Sequence, residues 1–460
     1  MKRNILYFAC LCVSLLLFLT FPGIRDIMGD GNYPPLKQSV RYIYLALILL
    51  SFILFGVFLS DEAKKGACIN MRQKMLAASA IGIIFLFTAP VFSIDLHCYI
   101  MQGRVLSVHG QNPYVVPPGA FPEDPFTKGI FWLHRPVFYG PLWVLFSVFL
   151  SFFGGDSVLL NVVLMKVPVF LAYLLLIWQG FSLARKIIPR QKDIIASFLA
   201  FNPFIVSQYL LDGHNDILMA ALAVTGFNLL IGGRMLRGCF FYGLSVFTKF
   251  MTGLIFPVFV WVGFLVNKNA RKNVVFTVSL TVMMVLSGIA LFSPFIGDAG
   301  FFDNLKGHKL AGSGGLDSNT IPYLMLLAGK MSGLCGGVDM FHPPFVFTVF
   351  CHILFIASVF GITLFMAVHG RDFGKVFSSA SLIFISYFVF EAFSFGAWFL
   401  IWLIPFVLFS DIKRKYLLVF LISLAGALSF WKRLSFLLAG AASVYLVFNM
   451  FDLRRSGTGD

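Results

Sequence analysis

Charge is scarce in this chain: only 12% of its 460 residues are charged, against 59% hydrophobic. A soluble domain carries about 25% charge, so a globule dissolved in water is excluded. Paired cysteines are missing as well. The seven thiols, at positions 10, 12, 68, 98, 239, 335 and 351, contain no CxxC and show no metal spacing. There is no GxGxxG following a strand and no Walker A, so no nucleotide-binding signal is present. The net charge is +15, yet no basic stretch interleaved with aromatics stands outside the apolar runs, which argues against nucleic acid as a partner. What fills the chain is apolar, with 57 Phe among the aromatics and a mean hydropathy of +0.89.

Apolar runs long enough to cross roughly 30 Å of hydrocarbon recur throughout. A spanning backbone must satisfy its own hydrogen bonds, so helices are expected rather than strands. Spans are expected at 5–22, 41–60, 75–94, 158–182, 193–210, 216–232, 236–248, 251–267, 273–296, 344–368, 376–393, 396–410, 416–429 and 433–451. The apolar stretch 137–153, counted as a span, would move Arg185, Lys186, Arg190 and Lys192 outside. Read as a helix dipping into or lying on the outer surface, it keeps the basic loops cytoplasmic. Met1-Lys2-Arg3 and the following apolar run lack a clear cleavage site and read as an uncleaved first helix. The expected architecture is one all-α polytopic membrane domain over 1–460, with about fourteen spans and both termini cytoplasmic. Two long segments, 95–157 and 297–343, face outward and carry most of the polar chemistry.

The richest of these segments opens with Asp95, followed by Tyr99, Gln102, Gly103 and Arg104, then by Gly110-Gln111-Asn112-Pro113-Tyr114. A carboxylate where a helix leaves the membrane is costly unless paired or solvated, which makes Asp95 a functional candidate; helix capping is the plainer alternative. Asp212-Gly213-His214-Asn215-Asp216 follows Asn202-Pro203. That cluster suits sugar or phosphate contact, a metal, or a polar turn between two spans. The eight histidines lack ligand spacing, so a divalent metal is compatible with the sequence but not indicated by it. Lys166 lies within a span, either snorkelling outward or reaching a lipid phosphate. Trp398 and Trp402 suit sugar stacking or an interfacial belt. Gly312-Ser313-Gly314-Gly315 suits a flexible loop able to close over substrate.

The ordered string Asp95, Tyr99, Gly103-Arg104, Gly110-Gln111-Asn112-Pro113-Tyr114 and Tyr139-Gly140-Pro141-Leu142 resembles the first outward loop of the GT-C glycosyltransferases. The likeness is greatest to the bacterial polyprenyl-phosphate-mannose-dependent mannosyltransferases. Asp212–Asp216, Thr248-Lys249 and Trp398-Phe399-Leu400-Ile401-Trp402 are similar to further family elements, so the resemblance covers roughly 90–410. It implies a GT-C-like bundle with juxtamembrane helices in the first outward loop, 137–153 among them. One departure is Gln102, where relatives often carry an acid.

The resemblance implies transfer of a hexose, mannose first, from a polyprenyl phosphate to an acceptor outside the cytoplasm, within the inner membrane. Asp95 would take the acceptor's proton. Arg104, Lys249 and His214 would bind the donor phosphate as its charge grows. Tyr99, Gln102, Asn112, Tyr114, Tyr139, Asp212, Asn215, Asp216 and Trp398 would contact sugar or acceptor. No cofactor is required; the partners are the lipid-linked donor, membrane lipid and a glycan, lipid or protein acceptor. The rival reading is a flippase or transporter of lipid-linked sugar, against which the absence of internal repeats weighs.

Overall fold

The computed structural model describes residues 38–303 except positions 92, 129, 131 and 268, together with 321–331, 345–392 and 396–428. The expected spans at 5–22 and 433–451 and most of the 297–343 segment, its Gly312–Gly315 stretch included, lie outside the described residues. Among those described there are helices and turns and no strand. Seven helices among the described residues are long and apolar enough to cross a membrane: Leu45–Lys64, Val158–Ile187, Pro189–Leu211, Phe250–Asn267, Ala270–Phe292, Val346–His369 and Phe373–Glu391. Pro141–Gly154, Asp216–Ile231, Ala397–Phe409 and Lys415–Ala427 are shorter apolar helices. The chain divides into two compact units, Met1–Phe250 with Val278–Leu305, and Met251–Thr277 with Lys306–Asp460.

The first unit contains α1 (Gln38–Lys65), α2 (Met71–Leu86), α3 (Asp95–Ser107), α4 (Pro141–Gly154), α5 (Val158–Ile187), α6 (Lys192–Phe201), α7 (Asp216–Ile231) and α8 (Met235–Thr248). Asn70 starts α2 as a capping box with Gln73, satisfying two otherwise unpaired N–H groups. Lys74, one turn on, is fully buried and donates to Glu62 Oε1 at 2.8 Å and to the Asp193 carbonyl at 2.7 Å. This buried charge ties α1, α2 and α6 together. Helix α5 continues to Ile187, beyond the expected end at 182, because Arg185 and Lys186 in its last turn favour the negative end of the helix dipole.

Two local features position the functional side chains. Proline at 203 disfavours helical backbone at Asn202, which turns extended (φ −65°, ψ 118°) and caps the next turn through Phe204 N–H at 3.0 Å. The expected span 193–210 is therefore a broken helix. It resumes as a π-helical turn over Val206–Leu211 that ends in the Asp212–Asp216 turn. Helix α4 packs on α3, and Gly103 makes this possible: a Cβ there would lie 2.3 Å from the Ser147 carbonyl oxygen. Ser151 adds a hydrogen bond to the Ile100 carbonyl at 3.1 Å. The Gly-Arg pair thus joins a packing residue to an ion-pair residue.

The second unit holds α9 (Phe256–Asn267), α11 (Ile321–Met331), α12 (Phe345–His369), α13 (Phe373–Ser386), α14 (Ile404–Phe409) and α15 (Lys415–Ala427), while α10 (Ala270–Phe292) runs through both units. Asp372 caps α13 through Lys375 N–H, and Trp261 donates its indole N–H to the Gly370 carbonyl at 2.8 Å. Helix α11 was not foreseen within the 297–343 segment; it packs against the π-helical turn Tyr387–Glu391.

Candidate active site

Four segments of the first unit, far apart in sequence, meet around the start of α3. Asp95 is its first residue, and its side chain is 13% exposed. Asp95 Oδ2 lies 3.5 Å from His214 Nδ1. The turn that carries His214 needs Gly213 at φ +79°, a conformation side chains rarely adopt. A Cβ at Gly213 would also stand 2.6 Å from Leu96, the residue after Asp95. Both constraints press the Gly-His-Asn-Asp turn onto α3. Two residues on, Asp216 begins α7 and accepts from Lys249 Nζ at 2.8 Å. Lys249 ends α8 in extended backbone, and its ammonium stands 5.5 Å from the Tyr139 ring centre.

Aromatic side chains form the rest of the wall. Tyr99 lies one helical turn beyond Asp95 and packs edge-on to Tyr139 at 5.1 Å and to Trp143 at 5.3 Å. Its hydroxyl is 3.5 Å from Asn215 Oδ1 and hydrogen-bonded to that of Tyr139. Burial first, then Tyr139 and the carboxylates of Asp95 and Asp216, pushes the Tyr99 hydroxyl well above its ordinary range, so it remains a neutral donor. His97 is held neutral in the opposite way: burial, with Lys166 adding to it, lowers its pKa to about 4. Asp212 uses Oδ1 to accept from Val91 N–H at 2.8 Å.

Asn112 and Tyr114 act one layer behind. Asn112 Oδ1 accepts from Tyr114 N–H at 3.0 Å, and its amide donates to the Phe295 carbonyl at 2.7 Å. The Tyr114 hydroxyl donates to the Tyr139 carbonyl at 2.8 Å, fixing the turn that presents Tyr139. Gln102 is buried on α3, seven residues beyond Asp95. Trp398 belongs to the second unit, where it packs edge-on to Phe399.

Arg104 lies nine residues past Asp95, about 13 Å along the axis, in a separate ion cluster. Its Nε donates to both oxygens of Asp124 at 3.0 and 2.9 Å, and its terminal nitrogens reach the Gly155 carbonyl at 2.5 Å and Asp156 at 2.7 Å. His109 stands 2.8 Å from the same Asp124. Sequence reasoning missed Asp124, which is twenty residues from Arg104 and belongs to no motif. It also missed Trp143, whose one signal is its place just after Tyr139-Gly140-Pro141-Leu142. The Asp124 side chain is 1% exposed and that of Asp156 83%. Arg104→Met should therefore strand a buried carboxylate and destabilise the protein by about 3–5 kcal/mol. Asp156→Ala should cost no more than about 1 kcal/mol. Thermal unfolding in detergent distinguishes the two; equal small shifts would show that Arg104 does not anchor the loop.

Among the described residues, no group of three or more His, Cys, Asp and Glu converges as metal ligands would. The site instead pairs acid with imidazole and acid with ammonium beside neutral phenols.

Apolar helices around such a charge-paired, aromatic-walled cluster define a polytopic membrane protein with the fittings of an enzyme. Residues 22–265 match the MptA_B family model, described as "Alpha-(1->6)-mannopyranosyltransferase, N-terminal domain", and the chain belongs to that family. The match takes in every residue of the cluster from Asp95 to Lys249. The chain is 25% identical over 257 residues to alpha-(1->6)-mannopyranosyltransferase A of Mycobacterium tuberculosis, covering 51% of this chain and 48% of that protein. It is 26% identical over 269 residues to the A protein of Corynebacterium glutamicum, covering 55% and 54%. To the B protein of that organism it is 22% identical over 223 residues, covering 47% and 36%. The chain spans about half the length of the two A proteins.

Proposed function

We propose that the protein is a membrane mannosyltransferase that moves a mannosyl residue from a polyprenyl phosphate to an acceptor hydroxyl on the non-cytoplasmic face. The observation that carries this reading is the convergence of Asp95–His214 and Asp216–Lys249 with Tyr99 and Tyr139. Family membership supplies the sugar.

In the step proposed, Asp95 accepts the proton of the acceptor hydroxyl as its oxygen attacks the anomeric carbon. The bond from that carbon to the phosphate oxygen breaks, and polyprenyl phosphate leaves as an anion. Direct displacement inverts the anomeric centre. His214 holds the Asp95 carboxylate and Lys249 stabilises the growing phosphate charge. Asn215 and the two tyrosines supply polar contacts to sugar hydroxyls. Arg104 is engaged with two carboxylates, so the phosphate role passes to Lys249, while His214 stays beside Asp95.

The same reading places the chain in the inner membrane as a GT-C-like bundle of about fourteen spans, with its basic loops cytoplasmic. Helix α4 supports a juxtamembrane position for its segment. Its 14 residues reach about 21 Å, short of the roughly 30 Å hydrocarbon core. It buries Trp143, Val144, Ser147 and Ser151 on one face and exposes Phe149, Phe152 and Phe153 on the other, as an interfacial helix does.

The test uses purified protein in proteoliposomes with radiolabelled polyprenyl-phosphate mannose or nucleotide-linked mannose, and an alkyl α-mannoside as acceptor. Label should reach the acceptor from the lipid donor alone. Equal transfer from the nucleotide sugar would overturn the donor assignment. Passage of intact donor across the bilayer without transfer would mark a transporter, to which the broken helix at Asn202-Pro203 is also suited.

A further inference from the structure

Lys166 has no place in the chemistry above, yet it is a fully buried ammonium inside α5, and burying an ammonium is expensive unless it is well paired. It does not snorkel. Its ammonium donates to the Phe85 carbonyl at 3.0 Å, the Thr88 carbonyl at 2.6 Å and the Thr88 hydroxyl at 3.1 Å. These acceptors lie at the C-terminal end of α2, where carbonyls run out of helical partners. Thr88 Oγ1 also donates to the Phe85 carbonyl at 2.8 Å, so the hydroxyl relays between the lysine and the helix end.

The residues that follow, described except at position 92, lead as a strap from α2 to Asp95, and the described ones are held at three places. Lys166 holds Phe85 and Thr88. Asp212 holds Val91 N–H at 2.8 Å. Ser93 Oγ accepts from the Asp95 N–H at 3.1 Å. Asp212 belongs to the same turn as His214, which faces Asp95. The clamp therefore fixes Asp95 by way of the strap, and its imidazole neighbour by way of the turn.

We propose that Lys166 and Asp212 are positioning residues, a charged clamp that sets the strap delivering Asp95 to the reacting hydroxyl. Neither needs to touch substrate. The inference rests on the reading of Asp95 as the base. It reassigns Asp212 from sugar contact and removes Lys166 from the lipid phosphate.

The experiment measures mannosyl transfer by full-length protein in proteoliposomes for Lys166→Met, Thr88→Val, Thr88→Ser and, as reference, Asp95→Asn. A displacement of about 1 Å at a reacting group costs up to about 100-fold in rate. Lys166→Met should therefore lower kcat by roughly 10- to 100-fold while leaving the donor KM within about twofold. Thr88→Val loses the relaying hydroxyl and should lower kcat in the same sense, while Thr88→Ser keeps it and should restore the rate. A raised donor KM at unchanged kcat in Lys166→Met would show a donor ligand and overturn the proposal. So would wild-type kcat in both Lys166→Met and Thr88→Val. If Lys166→Met does not fold, the valine–serine contrast at Thr88 decides, and equal rates there overturn the clamp. Full activity in Asp95→Asn would defeat the reading of the base itself. Loss there with wild-type Lys166→Met and Thr88→Val defeats only the clamp.

Discussion

Asp95→Asn is expected to lower mannosyl transfer by about 10²- to 10⁴-fold, the usual contribution of a positioned general base, while leaving the fold intact. The asparagine has nearly the volume of the aspartate, and its backbone N–H still reaches Ser93 Oγ, so the start of α3 is undisturbed. What disappears is the carboxylate that faces His214 and remains 13% exposed, enough for an acceptor hydroxyl to reach. Tyr99 holds its proton, raised by burial, and is no base poised to stand in for Asp95. The loss should fall on kcat, with donor KM little changed, because the proton is shared only in the transition state. Rates in proteoliposomes beside thermal unfolding midpoints test this. A folded Asp95→Asn protein with the wild-type rate would sink the assignment.

Much of the helical frame was legible because hydrocarbon leaves a spanning chain few options, and 158–182, 251–267, 273–296 and 344–368 all became long helices. The candidate site was legible where its residues sit in compact local strings. Asp95 lies more than a hundred residues before the Asp212–Asp216 turn, and Lys249 lies 33 residues beyond Asp216. Yet Asp95 comes to 3.5 Å from His214 and Lys249 to 2.8 Å from Asp216. Partners outside any string stayed hidden. Nothing near Arg104 announces Asp124, and nothing in the apolar run around Lys166 announces the end of α2 as its acceptor. A charge at membrane depth shows that a partner must exist, because an unpaired one is too costly. The identity of that partner is a property of packing. The same holds for Asn112 and Tyr114, whose motif suggested sugar contact and whose bonds in the structure brace the Tyr139 turn.

Lys249→Met should cost both stability and activity, and a second substitution separates the two. Asp216 is completely buried and Lys249 nearly so, with 2.8 Å between charges. Removing the ammonium alone leaves a buried carboxylate without its counter-charge, a loss of about 3–5 kcal/mol. Adding Asp216→Asn removes that orphan charge, and the double variant should recover most of the stability. Activity should behave differently. If Lys249 stabilises the departing phosphate, no neutral pair replaces it, and the folded double variant should remain slowed by about 10²- to 10³-fold, as when a single group stabilising transition-state charge is lost. Unfolding midpoints and transfer rates of the wild type, both single variants and the double variant complete the cycle. A double variant regaining stability and rate together would make Asp216–Lys249 a structural bridge and leave His214 to meet the phosphate. Continued slow transfer in a stable double variant would place the lysine's charge at the leaving group, across the cluster from Asp95, the base proposed for the acceptor hydroxyl.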